Sequence, residues 1–130
     1  MDYKLLKKET IGHVAVITLN RPEKLNALNK AIRFELVTAL EEIGGQFPDI
    51  RVVVLTGEGR GFCAGADVGE QADGLPQELE RTIESVRRDH EERQKNPATR
   101  SPAPLVREIP QPVIAAVNGV AAGMGLSIAL

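Results

Sequence analysis

The stretch that decides the fold is RVVVLTGEGRGFCAGADVG, residues 51–69. Its first six residues, 51–56, contain the apolar run Val52–Leu55, which predicts a short strand covered on both faces, as in a parallel sheet. The thirteen residues that follow, 57–69, include five glycines. So many residues without a side chain predict a loop of special shape, where another group can come close to the backbone.

A second stretch has the same form. Residues 113–117, VIAAV, follow a proline and predict another buried strand, and residues 118–125, NGVAAGMG, are again rich in glycine and alanine. Ala64–Asp67 and Gly123–Gly125 are each placed to begin a helix, where backbone N–H groups lack partners and the helix dipole is positive. Two such N–H groups facing one point would form an oxyanion hole. The alternative is a pair of tight turns with close backbone packing.

The first fifty residues predict a hairpin and a helix. Strands are expected at residues 3–8 and 13–19, with Gly12 at the turn between them. Asn29 is expected to cap a helix that the Gly44–Gly45 pair ends. Helical spacing of apolar residues supports that helix, and they are Ile32, Leu36, Leu40 and Ile43. Strand, helix and the strand at 51–56 then make a β-α-β unit.

The region between the two glycine-rich stretches predicts one more helix and a connection. A helix is expected at residues 76–95, with its charged second half facing solvent. Residues 96–112 contain five prolines, so we expect an irregular connection there, and Asn96–Pro104 should not be helical.

Composition excludes several classes of function. The 130 residues suffice for one domain. A net charge of −2 and an aromatic content of 3% give little support for nucleic-acid binding, which needs basic surface or stacking rings. The lone cysteine, Cys63, excludes a disulfide framework and favours a small buried residue over a nucleophile. Without a signal-peptide core or a ~20-residue apolar run, the chain is expected to be cytoplasmic, with no metal, nucleic-acid or membrane partner.

A phosphate-binding loop is the rival interpretation of the first stretch. Gly59–Ala64 formally satisfies G-x-G-x-x-A after a strand. A dinucleotide fingerprint also needs a helix that opens inside the glycines and an acidic residue at the end of the next strand. The next predicted strand lies some fifty residues later, so a nucleotide-binding module is the weakest hypothesis.

Three segments together resemble the enoyl-CoA hydratase/isomerase (crotonase) superfamily. Val53–Asp67 looks like its first signature, Ile109–Gly119 like its second, and Asn20–Leu28 like the segment before the first. The resemblance implies an α/β fold, the ClpP/crotonase spiral of ββα units. It also implies a coenzyme A thioester as substrate, no tightly bound cofactor, and a homo-oligomer, a trimer or a hexamer.

The resemblance also implies site residues. The oxyanion-hole N–H groups fall on Ala66 and on Met124, where family members usually carry glycine. Because only the N–H is used, methionine is tolerated if its side chain points away from the acyl group or trims the pocket. The segments that would border the substrate contribute Lys24, Leu25, Ala27, Ala64, Asp67 and Val68. For Lys24 an ordinary exposed lysine, and for Asp67 a helix cap, are the open alternatives.

The sequence departs from the family at the proton shuttle. Typical hydratases carry a glutamate where this chain has Ser127, and a second family carboxylate lies beyond residue 130. A serine hydroxyl is no general base near neutral pH without a partner. Three carboxylates follow the first loop and are weak candidates for the general base; they are Glu70, Asp73 and Glu78. We assign no role to His13 or His90.

Length is the second departure, because family chains are about twice as long. We therefore expect residues 1–130 to form a single domain, the N-terminal spiral core, truncated before the later turns and the C-terminal helical trimerisation segment. The first functional hypothesis is an acyl-CoA enzyme that stabilises a thioester enolate. Ser127 favours the isomerase or ring-rearranging branch over a simple hydratase. The second hypothesis is a catalytically silent acyl-CoA-binding or oligomerising fragment.

Overall fold

The computed structural model describes residues 2–69 and 100–130, together with residues 88, 91, 92, 95 and 96. Within these residues six strands, three helices and one 3-10 turn have described bounds, and residues 68, 69, 88, 91, 92 and 95 are also helical. The strands are β1 (Leu6–Ile11), β2 (Val14–Leu19), β3 (Val52–Gly57), β4 (Gly61–Cys63), β5 (Val113–Ala115) and β6 (Val120–Ala121). The helices are α1 (Lys30–Gly44), α2 (Pro102–Glu108) and α3 (Met124–Ala129), and the 3-10 turn is Pro22–Lys24.

The main sheet has four strands in the order β1-β2-β3-β5. β1 and β2 form the expected antiparallel hairpin, with Gly12 at a φ of +60° in its turn. β2, β3 and β5 run parallel, which confirms the β-α-β unit. A second sheet pairs β4 with β6, also in parallel. These two strands were not expected, because they are only three and two residues long and rich in small side chains.

The first strand begins later than the sequence predicts, at Leu6 and not at residue 3. The carboxylate of Glu35, on α1, accepts the backbone N–H of Lys4 at 3.1 Å and that of Leu5 at 2.8 Å. This segment therefore uses its N–H groups against the helix and joins the hairpin only from Leu6 onward.

Helix α1 forms as expected. The Asn29 side chain accepts the Ile32 N–H at 2.9 Å and caps its first turn. The apolar stripe faces the core with no exposed surface; its members are Ile32, Leu36, Leu40 and Ile43. At the far end, a Cβ on Gly44 would lie 3.0 Å from Ile109 Cγ2, so this glycine also permits close packing.

Strand β3 differs from the expectation of cover on both faces. Its residues alternate between buried and half-buried, with Val53 and Leu55 fully buried in the core. The predicted third strand is also shorter and less buried than expected. β5 ends at Ala115 instead of Val117, and Ile114 is 54% exposed. In the described sheet β5 is an edge strand, so the expectation of a buried strand at 113–117 was wrong.

The connection at residues 96–112 is not wholly irregular, because it contains α2. Pro102 and Pro104 lie in the first turn of this helix. There the backbone N–H groups have no helical partner in any case, so proline costs little. The expectation that residues up to Pro104 avoid helix was therefore wrong for residues 102–104.

The expected helix at 76–95 lies mostly outside the described residues. Within that range the structure describes residues 88, 91, 92 and 95, which are helical and exposed. None of the helices in the described part of the chain combines the length and apolar character that a membrane span requires.

Candidate active site

The two glycine-rich stretches meet at the short β4–β6 sheet. Gly61 pairs with Val120 and Cys63 with Ala121, and the Ala122 N–H continues the ladder to the Cys63 carbonyl at 3.1 Å. Because the two strands are parallel, the segments that follow them leave the same edge side by side. The pairing therefore brings Ala64–Asp67 next to Ala122–Gly125.

Glycines allow this close approach. A Cβ on Gly65, which has a φ of +98°, would lie 2.8 Å from the Ala122 carbonyl oxygen and 3.5 Å from the Met124 nitrogen. A Cβ on Gly125 would overlap the Cys63 carbonyl. The two loops are thus in direct backbone contact, which a side chain at either position would prevent.

The Ala66 backbone lies in an isolated parallel bridge with Leu28. In this bridge the Leu28 N–H donates to the Gly65 carbonyl at 2.7 Å, and the Asp67 N–H donates to the Leu28 carbonyl at 3.1 Å. The bridge uses the Gly65 carbonyl and the Asp67 N–H, on either side of Ala66, and the Ala66 N–H takes part in neither hydrogen bond.

Met124 is the first residue of α3, after Gly123 with a φ of +52°. First-turn N–H groups lack acceptors within the helix. Within the described part of the chain, neither the Met124 N–H nor the Ala66 N–H donates a hydrogen bond. Met124 packs its half-buried side chain against the hydrophobic core.

The segment around Lys24 lies against the first of these loops. Leu25 and Asn26 adopt left-handed conformations, with φ of 50° and 56°. The Ala64 N–H donates to the Leu25 carbonyl at 3.0 Å, so the predicted substrate-bordering residues of both segments are neighbours. Lys24 itself is exposed, which agrees with either of its two interpretations.

Asn26 is fully buried and holds three backbone segments together. Its Oδ1 accepts the Arg21 N–H at 2.8 Å. Its Nδ2 donates to the Glu58 carbonyl at 3.0 Å and to the Gly61 carbonyl at 2.8 Å. This asparagine therefore fixes the 21–28 segment to the start of β4.

Asp67 caps a helical turn. Residues 68 and 69 are helical, and Asp67 Oδ1 accepts the Gly69 N–H at 3.0 Å. Its other oxygen, Oδ2, pairs with Arg21 at 2.7 Å. The helix-cap interpretation of Asp67 is confirmed, while Val68 beside it is 77% exposed.

Asn118 has a structural role that the sequence did not indicate, and the same holds for Arg21 through its ion pair with Asp67. The Asn118 amide donates to the carbonyls of Gly57 at 2.8 Å and Gly59 at 2.9 Å, and its Oδ1 accepts the Gly57 N–H at 3.2 Å. It thereby ties the second stretch to the first loop. These partners lie about sixty residues apart in the chain, so no local pattern could have indicated the contact.

Other candidate side chains have structural explanations. Cys63 is fully buried, and this burial raises the pKa of its thiol, which opposes nucleophilic reactivity. The His13 ring lies 2.7 Å from the Asp49 carbonyl on the surface. The carboxylates considered as substitute bases and the second histidine lie outside the described residues; they are Glu70, Asp73, Glu78 and His90.

Ser127 lies one turn along α3 from Met124. Its Oγ is 3.3 Å from the Gly123 carbonyl, and it borders a cavity of about 580 Å³ between α2 and α3. The cavity lining is Ala103, Pro104, Arg107, Glu108, Ser127 and Leu130. Glu108 is paired with Arg100.

Two ligand classes find no support in the described residues. Gly61–Cys63 form a strand where a dinucleotide fingerprint would need a helix to open, so Gly59–Ala64 is not such a fingerprint. Within these residues no group of three or more His, Cys, Asp or Glu side chains is arranged to hold a metal ion.

Known proteins with similar sequences include enoyl-CoA hydratases and an acyl-CoA isomerase. The family model described as Enoyl-CoA hydratase/isomerase matches residues 9–130. A "Probable enoyl-CoA hydratase" of Rhodobacter capsulatus is 43% identical over 100% of this chain and 44% of that protein. The "1,2-epoxyphenylacetyl-CoA isomerase" of Escherichia coli is 41% identical over 90% of this chain and 41% of that protein.

The fold agrees with these sequence matches. The crystal structure of an enoyl-CoA hydratase from Bacillus anthracis superposes with a TM-score of 0.75 and 35% identity, over 97% of this chain and 44% of that one. The chain thus spans less than half the length of the relatives it matches, and over that span it has their crotonase fold. It belongs to the enoyl-CoA hydratase/isomerase family.

Proposed function

We propose that this chain binds an acyl-CoA thioester with the thioester oxygen between the N–H groups of Ala66 and Met124. One observation carries the proposal. Two loops in backbone contact each present an N–H that donates no hydrogen bond within the described residues. Paired donors of this kind are what a developing oxyanion requires.

The chemistry that such a site favours is formation of an enolate. In a double-bond shift of a 2-enoyl thioester, a proton leaves the γ-carbon, negative charge collects on the thioester oxygen, and a proton returns at the carbon next to the thioester carbonyl. In water addition, the same oxygen bears the charge after hydroxide equivalent adds to the β-carbon. Two preorganised dipoles lower the cost of either step, by about 3 kcal/mol for each donor in comparable sites.

Under the proposal the neighbouring segment borders the coenzyme A portion. Residues 24–27 lie against Ala64, and two successive residues in this segment, Leu25 and Asn26, have positive φ. Under the proposal Lys24, Leu25 and Ala27 line one side of the ligand, and Ala64 and Val68 the other. Asp67 caps the helical turn that begins at Val68 and so holds this side of the site in place.

The proton shuttle distinguishes the possible reactions. Ser127 stands where the resemblance leads us to expect a hydratase glutamate, and its hydroxyl is engaged with the Gly123 carbonyl. We therefore favour isomerisation or ring rearrangement of a 2-enoyl or related thioester over simple hydration. One relative of 41% identity is named as an isomerase. No tightly bound cofactor is required, and a cytoplasmic location and homo-oligomeric assembly stay predictions.

A second candidate function is acyl-CoA binding without turnover, and the same serine favours it. A titration calorimetry experiment with coenzyme A and with crotonyl-CoA, combined with an ultraviolet assay for loss of the conjugated thioester, separates the two. Binding with turnover supports the enzyme. Binding of both compounds without turnover supports the silent binder, and the absence of binding to either would contradict both functions.

A further inference from the structure

Arg21 joins the two segments that flank the proposed thioester site. Its side chain is 14% exposed, and its Nη1 donates to the Ala27 carbonyl at 3.1 Å and to Asp67 Oδ2 at 2.7 Å. Ala27 belongs to the segment proposed to border coenzyme A, and Asp67 directly follows the proposed donor Ala66. The Arg21 guanidinium thus links the segment proposed to border coenzyme A to the loop that carries the Ala66 donor.

The link lies beside the Leu28–Ala66 bridge. Ala27 precedes Leu28 and Asp67 follows Ala66, so the Arg21 contacts fall one residue from each member of the bridge. The Ala66 N–H shares a planar peptide unit with the Gly65 carbonyl, so the hydrogen bond from the Leu28 N–H to that carbonyl helps to set its direction. A charge-assisted contact at both sides restrains it further.

The charge balance favours a positioning role. The Asp67 carboxylate has 19% of its side chain exposed and divides its oxygens between Arg21 and the Gly69 N–H. Arg21 also has Glu23 Oε1 at 4.0 Å, on a side chain that is 68% exposed. The mostly buried Arg21–Asp67 pair is therefore less screened by solvent than the Arg21–Glu23 contact.

We propose that Arg21 is a positioning residue that aims the Ala66 N–H at the thioester oxygen. The inference rests on the proposed function. It assigns Arg21 no contact with substrate: Arg21 acts through Asp67 and Ala27. Small misplacements of a donor have large effects on such sites, because about 1 Å can cost about 100-fold in rate.

Four proteins test the role: the wild type, Arg21→Lys, Asp67→Asn and the control Lys7→Met. Arg21→Lys keeps the charge but replaces the planar guanidinium, whose Nη1 makes both contacts, with a compact ammonium on a shorter side chain. Asp67→Asn keeps an acceptor for the helix cap and removes the ion pair. Lys7→Met removes the Lys7–Glu58 pair, which has a similar distance of 2.8 Å but side chains 49% and 42% exposed.

The readout is the infrared stretch of a ¹³C-labelled thioester carbonyl in bound crotonyl-CoA, with coenzyme A affinity measured by calorimetry. A carbonyl held by two N–H groups absorbs at lower wavenumber than in water. We expect that shift in the wild type and in Lys7→Met. We expect Arg21→Lys and Asp67→Asn to lose at least half of the shift while coenzyme A affinity changes less than threefold.

The outcomes separate two failures. A wild-type protein that binds crotonyl-CoA without any carbonyl shift would overturn the proposed function, and this inference with it. A full shift in the wild type and in both site variants would overturn the inference alone. Loss of coenzyme A binding in both variants, with circular dichroism unchanged, would also overturn it, since Arg21 would then support ligand binding generally.

Discussion

Gly65 and Ala122 are in backbone contact, and the contact leaves no room for a side chain: a Cβ on Gly65 would lie 2.8 Å from the Ala122 carbonyl oxygen. The contact joins the loop after β4 to the loop after β6. Each loop presents one proposed oxyanion donor, so the space between Gly65 and Ala122 controls how close the two donors can come.

The first prediction tests this contact with Gly65→Ala. The substitution must move the loops apart, so we expect the carbonyl shift of bound crotonyl-CoA to disappear and any turnover to fall at least tenfold. Gly12→Ala is the matched control, because Gly12 also has a positive φ but nothing within 4 Å of its Cβ position. Both variants should lose about 1–2 kcal/mol from backbone strain in urea unfolding. Equal ligand behaviour in both would contradict the role of the contact.

The second prediction concerns the buried amide of Asn26. Asn26→Asp replaces a donor to two carbonyls with a carboxylate that faces them, and we expect a loss of about 3 kcal/mol or more in the free energy of unfolding. Asn29→Asp makes the same chemical change at a helix cap, where only an acceptor is needed. That variant should be neutral or slightly more stable. Urea denaturation measures both, and similar losses at the two sites would refute the assignment.

The third prediction follows from burial of Cys63, which raises the pKa of its thiol; a hydrogen bond with Gly65 opposes the rise. The thiol of the unfolded chain ionises at about pH 8.5, while the folded chain still holds its proton. The unfolded state then binds fewer protons, so the free energy of unfolding should fall as pH rises above about 8.5. Urea midpoints from pH 7 to 10 measure this fall, which should be smaller in Cys63→Ala. The same slope in both proteins would show that Cys63 does not contribute.

The sequence predicted the elements whose signals are local. Helix α1 has a cap, a full apolar stripe and a glycine end within sixteen residues, and β2 and β3 are β-branched runs. Helix α2 was missed because its prolines fall in the first turn, where their usual helix-breaking effect does not operate. The length and burial of the strand at 113–117 were overestimated, because both were judged from its apolar residues alone. In the structure this strand lies at an edge of the described sheet.

The site was predicted in part, for a related reason. Glycine-rich segments after strands pointed to a pair of N–H donors, and the family resemblance assigned them to Ala66 and Met124; that role stays a prediction. The contacts of Arg21 with Asp67 and of Asn118 with Gly57 join residues 46 and 61 positions apart. Such pairings arise only once the strands are paired, so single residues in the sequence give no signal of them.

The fourth prediction restores a carboxylate at Ser127. Under the proposal the oxyanion hole is present and the hydratase glutamate is lacking, so Ser127→Glu should raise the rate of water addition to crotonyl-CoA by about 100-fold or more. Ser127→Gln has similar size without a basic group and should stay at the wild-type rate. A gain in both variants, or in neither, would contradict this division of roles.

The central claim is that the Met124 N–H binds the thioester oxygen, and Met124→Pro tests it most directly. Proline at the first position of α3 removes the N–H where a helix tolerates proline best, while Met124→Ala keeps the N–H and trims the side chain. The measurement is the infrared carbonyl shift of bound ¹³C-labelled crotonyl-CoA. We predict a full shift in Met124→Ala and a much smaller one in Met124→Pro, with coenzyme A affinity unchanged in both. An undiminished shift in Met124→Pro would contradict the claim.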